Sequence, residues 1–417
     1  VELNEAHGTG TQAGDAAEFE GLRQVFDESA RSDRQWCALG SVKSQIGHTK
    51  AAAGAAGLFK AIMALHHKVL PPTIKVDAPD PRLKIETSPF YLNTAARPWL
   101  RDDRHPRRAS VSSFGFGGSN FHIALEEYVG PAPRPHRLRP EGGDVVLLSG
   151  DTPEHVAATC RAIARDATVP GMLAFLARKS QLEFNSDGAA RLAIYAESEE
   201  ELTAKLVQVA ERLVSGQSFS APGGISFEFA PPDGAVAFLF PGQGSQYLNM
   251  GADLAMGFST ARRSLDESIQ VALGASKRLD AVMYPTPVFD DAERQAQVDE
   301  LTLTQWAQPA IAAVSLAQID LLREIGVQPA AVAGHSFGEV TALYAAGAMS
   351  KSDLVRVARR RGECMADASQ QKGAMTSVSA KRDVVEALLA ELQLTETVAN
   401  YNSPSQLVLA GSYSAIA

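Results

Sequence analysis

Three side chains capable of acid, base or electrostatic chemistry lie in glycine-rich segments near the start of the sequence. The motif GTGT follows His7, and Lys43 and His48 belong to the segment GSVKSQIGHTKAAAGAAG. Small residues allow the backbone and a bound ligand to approach each other closely. We expect His48 to start an Ala/Gly-rich helix, whose N-terminus disfavours protonation of the ring. A neutral imidazole there could donate a hydrogen bond to an oxyanion.

A serine in the pattern G-x-S-x-G is a candidate nucleophile. Ser336 lies in AAVAGHSFGEVTALYAAG, a segment that predicts a strand, a sharp turn and a helix. The flanking glycines permit the strained turn that lifts a serine hydroxyl clear of a sheet. The N-terminus of the following helix favours a developing negative charge. On its own the pattern is a weak signal, because it requires only small residues around the serine.

Two further segments add chemistry to this serine. Gln243 lies in FPGQGSQ, directly after a predicted strand, and this turn could aim the Gln243 backbone N–H at an oxyanion. Arg361 lies in the helical segment RRRGECM, and a guanidinium can hold a free carboxylate through two hydrogen bonds. We assign the neighbouring Arg359 and Arg360 to a solvated helix face.

The elements that must position these residues fall into three blocks, 1–129, 130–232 and 233–417. A Pro/Arg-rich connector, PAPRPHRLRP, follows the first block. The second block predicts a strand, a helix, a second strand and a second helix, at 145–150, 152–166, 191–196 and 199–214, and carries no catalytic constellation. The third predicts a strand, two helices and a strand–helix–strand tail, at 235–240, about 305–325, 351–368 and from 373 onwards.

Composition and charge argue against several classes of protein. The 417 residues carry a formal net charge of -9, which gives no support for binding to nucleic acid or to an anionic membrane. No apolar run reaches the roughly 18 residues that a membrane span needs. The 3 cysteines are odd in number and far apart, which argues against a disulfide framework or a metal site and fits a cytoplasmic location.

The first block resembles the C-terminal half of β-ketoacyl synthases of the thiolase fold, through EAHGTGT, the GHT segment and SSFGFGGSN. The resemblance implies that His7 and His48 bind and decarboxylate a malonyl extender, and Lys43 matches the lysine of that family. It also implies that Phe116 gates the acyl pocket and that its backbone N–H helps to hold the oxyanion. Ser119 stands where many members of the family have threonine.

The third block resembles malonyl-CoA:acyl-carrier-protein acyltransferases, through FPGQGSQ, GHSFGE and the arginine helix. The resemblance implies an α/β-hydrolase-like core with an incomplete ferredoxin-like subdomain. Ser336 is then the acyl-accepting nucleophile, Gln243 and Phe337 supply the oxyanion hole, and Arg361 binds the extender carboxylate. His335 and Asn402, the latter in ANYNSPSQ, lie on the substrate side of the site by the same resemblance.

The substrates and partners follow from the same resemblance. Malonyl-CoA and a phosphopantetheine-bearing acyl carrier protein are implied as substrates, with no cofactor bound directly. A homodimer is implied through a complete ketosynthase. The whole is α/β: half of a thiolase-like fold, a small α/β linker domain and an acyltransferase core. The segments TSPFYLNTAARPW and HHKVLPPTIKV most resemble those of iterative type I synthases of the polyunsaturated-fatty-acid or heterocyst-glycolipid kind.

Two catalytic residues of these families have no counterpart in the sequence. The ketosynthase cysteine lies upstream of HGTGT in its family, and we interpret Cys37, in QWCALGSV, as a core residue. The acyltransferase base is a histidine well past the serine, whereas no histidine follows His335 here. The sequence also opens at Val1 and not at methionine. We therefore expect an internal piece of a longer synthase, which cannot form a carbon–carbon bond alone.

Two other classes of function stay open at this point. An α/β-hydrolase esterase could be built on Ser336, but it would need a histidine after the serine, and a carboxylate-binding Arg361 is unexpected for a neutral ester. A non-catalytic scaffold that docks carrier proteins would keep the fold and lose the chemistry. Acylation of Ser336 by malonyl-CoA would separate the three interpretations.

Overall fold

The computed structural model describes residues 1–29, 31–101, 105–115, 117–131, 142–230, 234–271, 277–368, 373–394 and 397–412. It divides into two compact units, one made of residues 1–138 with 236–417 and the other of residues 139–235. The predicted boundaries at 129/130 and 232/233 stay predictions. Most of the predicted connector, 132–140, lies outside the described residues.

The first block is built on a five-stranded sheet with the strand order β4-β2-β1-β6-β7. Neighbouring strands are parallel except for the hairpin of β6 and β7. Its elements are β1 (Leu3–Glu5), α1 (Gln12–Asp27), β2 (Cys37–Gly40), α2 (Lys43–Ile46), α3 (Ala53–His67), β3 (Val69–Leu70), β4 (Phe90–Leu92), β5 (Arg97–Pro98), β6 (Arg108–Phe114) and β7 (Asn120–Glu126). Strands β3 and β5 form a separate antiparallel pair.

Small residues explain how α3 packs closely on this sheet. A Cβ atom added at Gly57 would lie 3.1 Å from the Glu5 side chain and 3.3 Å from that of Val111. The Ala/Gly-rich sequence therefore brings the helix axis near β1 and β6. The core beneath it contains Leu3, Ala61 and Leu65, which are all buried.

The second unit is a four-stranded antiparallel sheet, in the order β10-β11-β9-β8, with helices. Its elements are β8 (Asp144–Gly150), α4 (Pro153–Ala164), α5 (Met172–Glu183), β9 (Ala190–Ala196), α6 (Glu199–Arg212), β10 (Phe219–Ala221) and β11 (Ile225–Phe229). The predicted strand–helix–strand–helix order is confirmed, but α5 and the β10–β11 hairpin were missed. Helix α5 leaves Phe175 and Leu182 exposed while it buries Leu173, so its apolar residues do not mark one face.

The third block combines a parallel strand pair with helices and ends in a small antiparallel sheet. Its elements are β12 (Ala237–Phe240), α7 (Ala252–Gly257), α8 (Ser259–Val271), α9 (Leu279–Met283), α10 (Asp291–Thr302), α11 (Thr304–Glu324), β13 (Ala331–Gly334), α12 (Phe337–Ala345), α13 (Lys351–Ala368), β14 (Ala374–Val378), α14 (Arg382–Glu391), β15 (Thr397–Ser403) and β16 (Gln406–Gly411). The final sheet has the order β14-β16-β15. The predicted α/β class, the helices α11 and α13 and the strand–helix–strand tail are confirmed.

The core of the third block lies among helices α8, α9, α11 and α13. Leu265, Met283, Ile311 and Leu354 are among its buried members. Helices α7 to α10 were not predicted from the sequence. No helix within the described ranges is long and apolar enough to cross a bilayer.

Candidate active site

Ser336 lies at the turn between β13 and α12 with a strained backbone. Its φ is 53° and its ψ is -112°, a conformation that residues with a side chain rarely adopt. Strain of this kind persists only where the surrounding structure fixes it, and it is typical of a nucleophile elbow. The local geometry therefore matches the predicted strand–turn–helix.

The two glycines that flank Ser336 are sterically required. A Cβ atom added at Gly334 would lie 2.0 Å from the backbone carbon of Gly338. A Cβ atom added at Gly338 would lie 2.0 Å from the carbonyl oxygen of Phe240. Both obstacles are backbone atoms, which cannot rotate away. The G-x-S-x-G pattern is thus imposed by the close packing of the elbow on β12.

The backbone N–H groups of Gln243 and Phe337 lie near Ser336. Neither has a hydrogen-bond acceptor among the described residues. Because β12 pairs in parallel with β13, with Phe240 opposite Gly334, the turns after both strands meet at one edge of the sheet. A Cβ atom at Gly242 would lie only 3.2 Å from that of Ser336. The geometry suits an oxyanion hole.

Arg361 and its two neighbours differ in what they contact. The Arg359 guanidinium stacks over Trp306 at 4.5 Å and pairs with Glu363 at 2.7 Å, so its assignment to a solvated face was wrong. The Arg360 side chain is 72% exposed, as expected. Arg361 is half-buried and makes no hydrogen bond or ion pair with the described residues. Its guanidinium is therefore available to an anionic ligand.

His335 and Asn402 are brought together across the elbow. His335 Nε2 and Asn402 Oδ1 lie 2.8 Å apart, and the amide Nδ2 of Asn402 donates to Gln406 at 3.3 Å. Since the carbonyl Oδ1 only accepts, Nε2 of His335 carries the proton. The contact joins the elbow to β15, and the N–H at Nε2 is used in this hydrogen bond.

In the first block the structure brings His7, His48 and Lys43 together. The two imidazole rings lie 5.6 Å apart between centroids and meet edge to face, and Phe114 lies 5.5 Å from the His7 ring. The Lys43 ammonium donates to the His7 carbonyl oxygen at 2.5 Å. Phe116, the predicted gate, lies outside the described residues.

Known protein families match successive parts of this sequence. Family models match in succession: "Beta-ketoacyl synthase, C-terminal domain" at residues 1–77, "Ketoacyl-synthetase C-terminal extension" at 79–191 and "Acyl transferase domain" at 237–417. The chain carries the C-terminal domain of a β-ketoacyl synthase followed by an acyltransferase domain. The third of these matches contains Gln243, Ser336 and Arg361.

The relatives of this ketosynthase–acyltransferase chain are synthases. It is 36% identical over its whole length to a polyunsaturated fatty acid synthase polypeptide of Thraustochytrium sp., of which it spans 16%. It is 34% identical over 99% of its length to a phenolphthiocerol/phthiocerol polyketide synthase polypeptide of Mycobacterium tuberculosis, of which it spans 25%. The acyltransferase domain from module 8 of the salinomycin polyketide synthase is 27% identical, with a TM-score of 0.52, over 66% of this chain and 62% of that one.

A residue of the acyltransferase domain that sequence reasoning missed is Gln308. It is fully buried in α11 and donates through Nε2 to the side-chain oxygen of Gln243 at 3.3 Å, while its own Oε1 has no partner in the described part of the chain. A buried amide with an open acceptor is rare. The available signal was a glutamine inside an otherwise apolar run, WAQPAIAAV. Gln308 therefore supports the Gln243 side chain from α11.

The environment of His7 favours its neutral form. Burial lowers its pKa, the positive charge of Lys43 and the proximity of His48 lower it further, and Asp15 opposes them. Its backbone N–H and that of Gly8 donate to the Glu18 carboxylate at 2.7 and 2.8 Å, which fixes the turn. Glu18 was also missed, because it lies eleven residues away on α1.

His48 does not start a helix, contrary to expectation. It precedes a single 3-10 turn, Lys50–Ala52, which leads into α3. Its Nδ1 accepts a hydrogen bond from the Lys50 backbone N–H at 3.0 Å. A neutral ring therefore carries its proton on Nε2 and can donate from there. A local hydrogen bond, and not a helix terminus, orients the ring.

Glu5 links the segments that carry the ketosynthase candidates. It lies just before His7 in the sequence, is 2% exposed, accepts from the Val42 backbone N–H and pairs with Lys60 on α3 at 2.9 Å. Burial raises the pKa of Glu5, against the attraction of Lys60. One buried carboxylate thus joins β1 to the turn before Lys43 and to the helix after His48.

None of the three cysteines is a reactive thiol beside the two histidines. Cys37 is fully buried in β2, as predicted for a core residue, and burial raises its thiol pKa far above the usual range. Cys160 is buried in the second unit, where burial raises its pKa to about 12. Cys364 is exposed on α13 of the acyltransferase domain.

Replacing Gly338 with alanine is expected to destroy the elbow. The added methyl group would force β12 and α12 apart, and overpacking of this kind costs about 1–3 kcal/mol or more. We expect a lower thermal midpoint and no acylation of the serine, measured by calorimetry and mass spectrometry. Gly21→Ala on α1 is the control, because no atom lies within 4 Å of its added Cβ. An unchanged midpoint in Gly338→Ala would contradict the steric argument.

Proposed function

We propose that the acyltransferase domain transfers malonyl groups from CoA to an acyl carrier protein through Ser336. The observation that carries this proposal is a strained serine elbow in the same domain as an arginine that has no partner among the described residues. The serine oxygen attacks the thioester carbonyl, the C–S bond breaks and CoA leaves as the thiol. The carrier's phosphopantetheine thiol then attacks the serine ester and releases Ser336.

The proton of Ser336 needs a base in this scheme. His335 is a poor candidate, because its Nε2 is hydrogen-bonded to Asn402. It is also adjacent to Ser336 in sequence, and the side chains of adjacent residues diverge at the elbow. We propose that a histidine other than His335 takes the proton. Experiments that measure turnover use the natural polypeptide that contains the sequence.

The proposed function is tested by measuring whether the malonyl group is transferred to the carrier protein or released to water. With malonyl-CoA and carrier protein, we expect malonyl-carrier as the main product, and none with Ser336→Ala. Ser352→Ala, on the first turn of α13, serves as the control serine and should retain activity. Release of malonate to water without carrier loading would indicate an esterase. Carrier binding without any loading would indicate a scaffold.

A malonyl preference over methylmalonyl belongs to the same proposal. A Phe337 ring that projected into the site would crowd an α-methyl group directly. It is instead fully buried in the core cluster that includes Trp306. Any effect of Phe337 on the extender therefore acts through the packing that sets the position of the elbow.

For the ketosynthase domain we propose that His7 and His48 act on the malonyl extender during decarboxylative condensation. The support is a pair of adjacent imidazoles, one with lowered pKa and one with Nε2 as its donor. Imidazole N–H groups of both rings can donate to the enolate oxygen that forms as carbon dioxide leaves. We also propose, from the family resemblance, a cytoplasmic location and a dimer through a complete ketosynthase.

The 417 residues alone are expected to make no carbon–carbon bond. Condensation needs a thiolate to hold the acyl chain, and the thiols of Cys37 and Cys160 are buried with raised pKa values. The measurement is mass spectrometry of acyl- and malonyl-loaded carrier proteins after incubation with the chain. A β-ketoacyl product above the blank would overturn the assignment.

A further inference from the structure

A buried ion pair lies next to the turn that carries the ketosynthase candidates. The side chains of Glu5, at the end of β1, and Lys60, on α3, are 2% and 9% exposed, and their charged atoms lie 2.9 Å apart. A Cβ atom added at Gly57 would lie 3.1 Å from Glu5 Cγ and 3.6 Å from its Oε1. The missing side chain at residue 57 thus lets α3 lie against this carboxylate.

The Glu5 carboxylate also holds the backbone at the start of α2. Its Oε1 accepts a hydrogen bond from the Val42 N–H. The Val42 carbonyl oxygen in turn accepts from two N–H groups of α2, and the Lys43 carbonyl oxygen accepts from the Gly47 N–H at 3.0 Å. One carboxylate oxygen therefore fixes the start of a helical turn whose end leads directly into His48.

The same turn sets the position of Lys43 relative to His7. The Lys43 ammonium donates to the His7 carbonyl oxygen at 2.5 Å. Burial lowers the pKa of Lys43, and the negative charges of Glu5 and Glu18 oppose this change. A displacement of the turn would move both Lys43 and His48 away from their places beside His7.

Lys60 supplies the positive charge that a carboxylate at this depth requires. Burial raises the pKa of Glu5, whereas Lys60, the Val42 N–H and Lys43 oppose that rise. The Lys60 Nζ also lies 3.5 Å from the position that a Cβ atom would take at Gly40, the last residue of β2. The ammonium thus lies where α3 meets the ends of β1 and β2.

We propose that Glu5 and Lys60 are positioning residues of the ketosynthase reaction, whose pair holds the Val42 turn so that Lys43 and His48 stay beside His7. This inference rests on the proposed role of the two histidines in decarboxylation. The pair acts through the turn and not on the substrate. Placement matters because a shift of about 1 Å in a reacting group can slow a reaction about a hundredfold.

Two double variants of the natural polypeptide test the pair. Both remove the two charges together, because a single change would leave one buried charge without its partner. Glu5→Gln with Lys60→Met is the acceptor-retaining variant, since the amide oxygen can still accept from the Val42 N–H. Glu5→Leu with Lys60→Met is the acceptor-lacking variant.

The first measurement is carbon dioxide release from malonyl-carrier. We expect kcat to fall roughly tenfold to a hundredfold in the acceptor-lacking variant and to stay within about a factor of two in the acceptor-retaining one. KM should stay unchanged in both, because neither side chain reaches the surface. The control is Arg108→Met with Glu126→Gln, which removes an exposed ion pair of the same domain and should change neither value.

Hydrogen–deuterium exchange measured by mass spectrometry gives a second readout that does not depend on catalysis. Residues 41–48 should exchange faster in the acceptor-lacking variant and as in the parent in the acceptor-retaining one. Protection of residues 58–66 reports in both that α3 is folded. Unchanged exchange of 41–48 in the acceptor-lacking variant would overturn the proposal, as would a rise in KM without a fall in kcat.

The acceptor-retaining variant keeps the proposal falsifiable if the acceptor-lacking one does not fold. A large loss of kcat in the folded acceptor-retaining variant would overturn the positioning role by itself. Parallel His7→Ala and His48→Ala variants separate this outcome from failure of the proposed function. If those two leave carbon dioxide release unchanged, the proposed function fails, and the exchange of 41–48 still decides whether Glu5 holds the turn.

Discussion

Arg361→Ala is expected to slow malonyl transfer by roughly a hundredfold to a thousandfold or more in kcat/KM. The guanidinium has no partner within the described residues, so a malonyl carboxylate would be its counter-ion in the site. Loss of one member of a buried charge pair costs about 3–5 kcal/mol, and about 1.4 kcal/mol corresponds to a factor of ten. Acetyl-CoA has no such carboxylate, so acetyl transfer should hold steady or improve.

The structure also selects the control for this arginine. Arg360→Ala is suitable, because that side chain is 72% exposed. Arg359→Ala is unsuitable, because it would remove the stacking on Trp306 and the pair with Glu363. Arg361→Lys keeps the charge without the two-pronged geometry and should recover part of the activity. An equal slowing of malonyl and acetyl transfer in Arg361→Ala would show that the arginine is structural.

His48→Ala and His7→Ala, made in the natural polypeptide, are each expected to slow decarboxylation of malonyl-carrier by about a hundredfold to a thousandfold. That is the effect of removing one oxyanion donor. Carbon dioxide release is the measurement, and Ser336 loading measured in parallel should be unchanged. The control His66→Ala lies at the end of α3, away from the paired rings. Decarboxylation within a factor of about two of the parent would contradict the assigned roles.

The pH dependence of this step follows from His7. Burial and the neighbouring cation lower its pKa, so the ring stays neutral to a lower pH than an ordinary histidine of pKa about 6.5. Protonation removes activity only as the pH falls through the lowered value. Lys43→Met removes the nearby charge and should move the acidic limb of the profile to higher pH.

The sequence predicted best those features that close packing imposes locally. The glycines around Ser336 are fixed by backbone contacts at 2.0 Å, so the elbow leaves a local pattern in the sequence, which the neighbouring motifs made specific. The motifs also indicated that His7, Lys43 and His48 belong together, because their family context was specific. The helix α13 was predicted with its observed bounds, since its apolar and charged residues alternate with helical spacing.

Contacts between distant segments could not be predicted in the same way. Arg359 was assigned to a solvated face because its stacking partner, Trp306, lies on another helix. The pairing of Glu5 with Lys60 and the bond from Gln308 to Gln243 depend on tertiary packing that no local pattern reports. His48 was placed on a helix because its Ala/Gly-rich continuation has high helical propensity, whereas a left-handed Lys50 interrupts it.

Peptide mapping after brief exposure to malonyl-CoA tests most directly whether Ser336 carries the malonyl group, on which the proposed function depends. The natural polypeptide is quenched in acid, digested and analysed by tandem mass spectrometry. We predict a malonyl ester on Ser336, in the peptide that also contains His335, which hydroxylamine removes. The adduct should be absent from Ser336→Ala and retained in Ser352→Ala. A malonyl group on another residue, or none at Ser336 while malonyl-carrier is still formed, would contradict the proposed function.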